Sequence, residues 1–175
     1  METYNYFLTC EKCDDDECCK EPYYAFASKI EIQRIKDYIK KEKFPKKFTN
    51  FLNREKFIYK NKENEVLAIR KIDGSCIFLK DNRFCMIQKV KPLDCRQWPL
   101  TFDYIEKEDK LIIYKGVCPL SDILKEQWIE SMVNIIETEL QSWPLEDLAA
   151  YSSYDRDDTL IEIRVVENYL KNKDK

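Results

Sequence analysis

Eight cysteines in a chain with two glycines and no histidine constrain this fold more than any other feature of its sequence. Each glycine stands two residues before a cysteine, in Asp73-Gly74-Ser75-Cys76 and in Lys115-Gly116-Val117-Cys118. Thiolates are soft ligands suited to zinc, copper(I) or iron–sulfur clusters, and ligation supplies stability that such sparse turn chemistry does not. Metal binding is therefore the first expectation.

The arrangement of the cysteines sharpens it. Cys10, Cys13, Cys18 and Cys19 form the run Cys-x2-Cys-x4-Cys-Cys. A Cys-x2-Cys pair brings two sulfurs onto one ion or one iron–sulfur core at little backbone cost. Cys18 and Cys19 differ, because neighbouring side chains of an extended or turn segment point apart and do not easily share one tetrahedral centre. With Cys76, Cys85, Cys95 and Cys118, the eight ligands divide over two four-sulfur centres if each centre takes one of the adjacent pair. A glycine beside a ligand lets the backbone turn tightly and bring N–H groups toward sulfur, which spreads thiolate charge. Four disulfides would also use eight cysteines, but residues 1–9 show no basic start, apolar run or cleavage pattern. The expectation is thus reduced thiols and a cytoplasmic location.

At 175 residues, with 44% hydrophobic and 13% aromatic content, the chain is expected to form one domain over 1–175. No stretch approaches a membrane span, and a formal charge of -3 points to no general polyanion-binding surface. Ser28 and Glu31 have capping-box spacing, and Ile32, Ile35 and Ile39 continue as the apolar stripe of a helix that packs on a sheet. Residues 40–62 interleave lysines with Phe44, Phe48, Phe51, Phe57 and Tyr59. That pattern is a solvated face around core aromatics rather than a nucleic-acid module. Strands are expected at 65–71, 76–80 and 83–90, with turns at Asp73-Gly74 and Asp81-Asn82. A hairpin comes next at 102–105 and 111–114, and Gly116 turns the chain to place Cys118. Ser121 is expected to cap a helix carrying Leu124, Trp128, Met132, Ile135 and Ile136, and a last helix is expected over 158–170. The fold class is α+β, a small antiparallel sheet with flanking helices organised around a cysteine-ligated metal centre.

The remaining side chains identify no reaction. Without histidine, Cys-His and Ser-His pairs and the histidine-containing zinc hydrolase sites are excluded, leaving Asp, Glu, Lys or Tyr to move protons. Asp94 and Arg96 flank Cys95. Arg96 is a candidate to hydrogen-bond cluster sulfur or an anion, or else to satisfy backbone carbonyls beside the centre; Trp98 is a candidate cover for it.

The cysteines and their neighbours make a longer pattern: Cys10-x2-Cys13-x4-Cys18-Cys19, Cys76-Ile77-Phe78-Leu79, Cys85-Met86-Ile87, Lys91-Pro92-x2-Cys95-Arg96-x-Trp98-Pro99 and Cys118-Pro119. Over 10–119 this resembles the YkgJ-type cysteine-cluster family, which is named for zinc or iron chelation; a helical C-terminal extension comes after it. The resemblance implies metal ligation by all eight positions. It extends distantly to the cysteine domain of flagellin lysine methylases, which implies an iron–sulfur cluster, S-adenosylmethionine and methyl transfer as a third reading. The chain departs from the usual first cluster in carrying Asp14-Asp15-Asp16-Glu17 where a tighter glycine-containing link is found. The leading expectation is an iron–sulfur protein, 4Fe–4S in one or two centres, that transfers electrons or assists a partner enzyme. The alternative is a zinc-stapled module that binds a protein partner.

Overall fold

The computed structural model describes residues 17–21, 23–59, 62–80, 84–117, 124–152 and 159–171. Cys10, Cys13, Cys118, Ser121 and the expected Asp81-Asn82 turn lie outside the described residues. The chain divides into two compact units, one from Met1–Glu55 with Glu65–Arg96 and one from Lys56–Asn64 with Gln97–Lys175.

In the first unit, helix α1 (Lys29–Lys41) starts where the capping box places it. The Ser28 Oγ accepts from the Glu31 N–H at 3.4 Å, and the Glu31 carboxylate accepts from the Ser28 N–H at 2.9 Å. Its end is equally local in origin. Lys43 takes a left-handed φ of 52°, the Phe44 N–H reaches the Ile39 carbonyl at 3.0 Å and the Lys43 N–H reaches Lys40 at 3.3 Å. These two bonds make a Schellman motif, which satisfies carbonyls the last turn leaves open. Ile32, Ile35 and Ile39 then bury against Phe48, Phe51, Ile69, Ile77, Phe78 and Ile87. Phe44, Phe48 and Phe78 continue that core as ring pairs 5.5 and 5.8 Å apart, while Lys40, Lys41, Lys43, Lys46 and Lys47 stay exposed. Over residues 40–51 the basic, aromatic stretch is thus a core segment with a solvated face.

Strands β1 (Leu52–Tyr59) and β2 (Lys62–Ile69) form a two-stranded sheet. Residues 25–27 run beside β2, through Ala27 N–H to Leu67 at 3.1 Å and Ile69 N–H to Ala25 at 2.7 Å. Strands β3 (Lys71–Ile72) and β4 (Ser75–Cys76) pair around the expected Asp73-Gly74 turn, whose residues have φ of 51° and 77°. Left-handed φ at both turn positions matches the twist of a two-residue hairpin. The strands expected at 76–80 and 83–90 are replaced by turns joined at one bridge, Leu79 to Cys85. Ile77 and Phe78 are both buried, which a half-exposed strand forbids, and the Leu79, Gln88 and Val90 amides donate three residues back to Cys76, Cys85 and Ile87.

A short helix, α2 (Leu93–Gln97), ends at the boundary between the units. In the second unit, β5 (Leu100–Ile105), β6 (Lys110–Lys115) and β7 (Ile161–Glu167) make an antiparallel sheet in that order. The expected 102–105 and 111–114 hairpin is present, with Phe102 opposite Ile113 and Tyr104 opposite Leu111. Helices α3 (Glu126–Leu140) and α4 (Leu145–Ser152) belong to the same unit. Phe102 stacks on Tyr151 at 4.1 Å, with Trp143 edge-on at 5.7 Å. The helix expected over 158–170 is instead β7, whose Ile161, Ile163, Val165 and Val166 are β-branched; Ile161, Val165 and Val166 find partners on β6, and Ile163 falls at the irregularity of the ladder. Asp109 anchors the chain just beyond β7: its carboxylate accepts from the Leu170 N–H at 2.8 Å and the Tyr104 hydroxyl at 3.1 Å. Among the described residues no helix is long and apolar enough to cross a membrane.

Candidate metal centre

Five of the eight cysteines are described, and the first unit contains all five. No disulfide joins any two of them. Cys76 closes β4 and stands opposite Lys71 across the hairpin. The turn after β4 aims the Phe78 and Leu79 N–H groups at its sulfur. Such donors disperse charge on a thiolate and hold its direction. Gly74 serves this arrangement by making the hairpin turn, and the donors to sulfur lie after the cysteine rather than before it.

Cys85 is carried to the same turn by its bridge to Leu79 and by the Met86 N–H bond to Phe78 at 2.9 Å. Cys95 sits in α2, its N–H bonded to Pro92 at 3.1 Å. The three sulfurs feel one another. Burial pushes the Cys76 thiol up to about 11, with the charge of Cys85 adding to the effect and the two amides and Lys71 opposing it. Burial likewise holds the Cys95 thiol well above its ordinary value, with Asp94, Cys76 and Cys85 adding and Lys91 opposing. Desolvated thiols of this kind stay protonated until a cation takes the proton's place.

Cys18 and Cys19 lie on a single 3-10 turn (Glu17–Cys19). The next residues attach that turn to the Cys76 hairpin, through a Lys20 bridge to Ser75 and the Glu21 N–H to Gly74 at 2.9 Å. The N-terminal pair and the hairpin cysteine are thus neighbours through backbone pairing.

Two carboxylates hold α2, and Cys95 with it, onto the start of α1. Asp94 accepts from the Phe26 N–H at 2.9 Å. Glu31, 2% exposed, accepts from the Leu93 N–H at 2.5 Å while it closes its own capping box. Arg96 donates from Nε to the Lys91 carbonyl at 3.1 Å and lies 3.9 Å from Glu31. Trp98 belongs to the second unit and is 37% exposed. Its ring packs on Gly116, where an added Cβ would come within 3.1 Å of Trp98 Cη2. Gly116 therefore answers to close packing rather than to a tight turn, and its N–H bonds Pro99 at 2.7 Å.

Among the described residues no three Cys, Asp or Glu side chains stand close enough to share one ion. Cys76, Cys85 and Cys95 carry soft thiols on neighbouring segments, with two amides already directed at the Cys76 sulfur. Sequence reasoning missed three parts of this site: the Phe78 and Leu79 donors, the reach of Glu31 to α2, and Lys71. The last was legible, because a two-residue Asp73-Gly74 hairpin places Lys71 opposite Cys76 by register.

A family described as "Putative zinc- or iron-chelating domain", CxxCxxCC, matches residues 9–119. No curated protein and no solved structure matches the chain.

Proposed function

We propose that this protein, which belongs to the CxxCxxCC family of zinc- or iron-chelating domains, carries an iron–sulfur cluster that transfers electrons or assists a partner enzyme. The carrying observation is the electrostatic neighbourhood of Cys76, Cys85 and Cys95, in which the Cys76 sulfur also receives two backbone N–H groups. Hydrogen bonds to sulfur and burial are the levers by which a protein sets the potential of a thiolate-bound cluster. Cys10, Cys13, Cys18, Cys19 and Cys118 complete the set of eight, divided over two centres with Cys18 in one and Cys19 in the other. When bound, the cluster would supply one-electron chemistry; the chain's own residues would bind it, partly shield Cys76 and Cys95, and hold α2 in place through Glu31 and Asp94.

The second reading, zinc as a structural staple in a module that binds a protein partner, draws on the thinness of regular structure here. Strands β3 and β4 have two residues each. Elements that short need an added constraint, and a metal provides one.

Metal analysis separates the two. Protein made under iron-replete conditions and purified anaerobically is expected to contain iron and acid-labile sulfide and to absorb broadly in the visible. Stoichiometric zinc without iron in that material overturns the iron–sulfur reading and leaves the staple.

A further inference from the structure

Lys71 is set by the fold among the described cysteine segments from two directions. It faces Cys76 across the β3–β4 ladder. Its ammonium donates to the backbone carbonyl of Lys20, the residue after Cys19. It also lies 5.6 Å from the centre of the Tyr24 ring. A surface lysine with no task extends into water, because fixing its side chain costs rotamer entropy. Lys71 instead folds back over Tyr24 and is partly desolvated, which lowers its proton affinity, while Cys76, Cys19, Glu21 and Cys18 hold the proton on. The same contacts span the join between two segments about fifty residues apart in sequence, a join otherwise made by the Lys20–Ser75 bridge and the Glu21–Gly74 bond.

A metal centre with four thiolates carries net negative charge, whether the metal is one divalent zinc or a 4Fe–4S core. A fixed ammonium beside the ligands offsets that charge, most effectively where solvent is partly excluded. From this geometry we propose that Lys71 is a positioning residue of the metal centre: it clamps the Cys18–Cys19 segment to the Cys76 hairpin and compensates thiolate charge. The inference rests on the reading of this site as a metal centre.

The test compares wild type with Lys71→Met and Lys71→Arg, each checked for folding by far-UV circular dichroism. The first readout is the zinc(II) dissociation constant of reduced, metal-free protein. The second is hydrogen exchange of the Glu21 amide in that same metal-free protein. Lys71→Met is expected to bind zinc about 10- to 100-fold more weakly, the effect typical of losing a group that supports metal ligands, and to exchange the Glu21 amide faster. Lys71→Arg, which keeps charge and donor, is expected to recover most of both. Either readout unchanged in Lys71→Met overturns the proposal while leaving the metal centre standing. Wild-type protein that takes up neither zinc nor iron overturns the metal-centre reading itself.

Discussion

Glu31 shows how much one side chain can carry. A single buried carboxylate receives two backbone amides and a hydroxyl, and so joins the first turn of α1 to the first residue of α2. Glu31→Ala leaves the Leu93 and Ser28 donors buried without their acceptor and is expected to cost about 3 kcal/mol of unfolding free energy, measured by urea denaturation. Its titration adds a second test. Burial raises the Glu31 carboxyl above the ordinary value of 4.5, against the pull of its hydrogen bonds and of Arg34. The folded state then holds this proton more tightly than the unfolded chain does. The contribution is therefore full below the ordinary carboxyl value and is lost as pH rises through the raised one. The stability of wild type minus that of Glu31→Gln is expected to fall as pH rises from 4.5; a flat difference would show that Glu31 is not perturbed.

Among the elements, α1 is the most self-sufficient, since both its ends are closed by residues within a few positions. Its weak point is Lys43, a residue with a Cβ held at φ of 52° where glycine is at ease. Lys43→Gly is expected to stabilise the protein by about 0.5–1 kcal/mol, because the relief of left-handed strain exceeds the added freedom of the unfolded chain. A loss of stability in thermal unfolding of that variant would mean that Lys43 has a role beyond capping. Strand β7 is the opposite case. Four β-branched residues in seven favour a strand, but β7 has no hairpin partner adjacent in sequence, and its ladder to β6 carries an irregularity at Ile113/Tyr114.

At the scale of the molecule, metal and fold are expected to be linked. The described cysteines stand on segments with little regular structure, and the core of the first unit includes Ile77, Phe78 and Ile87 from the turns between them. A metal that binds only the folded state adds about 4 kcal/mol at a thousandfold excess over its dissociation constant. For a chain of this size that corresponds to a rise of about 10 °C in Tm. Metal-free protein, reduced and verified by elemental analysis, is expected to melt lower by about that amount. Equal melting of the two forms would contradict a structural role and leave a redox role intact.

Local signals were readable directly: the Ser28–Glu31 cap, the Ile32–Ile35–Ile39 stripe, the Asp73-Gly74 turn, the hairpin of β5 and β6, and the cysteine spacing that marks the family. Each acts through neighbours a few residues away, so its cause is written in one stretch of sequence. The rest depended on partners that no window contains. Strand β7 exists because β6 offers a ladder some fifty residues earlier, and its apolar residues pass equally for the stripe of a helix. Glu31 reaches an amide 62 positions along the chain. The turns over 77–90 replace strands because the core claims adjacent side chains, Ile77 and Phe78, at once. In the metal site the division is the same. Spacing marked the cysteines as candidate ligands, whereas the tertiary structure alone decided which of the described sulfurs are desolvated together, which amides face them and which lysine stands beside them, because burial and charge act through space.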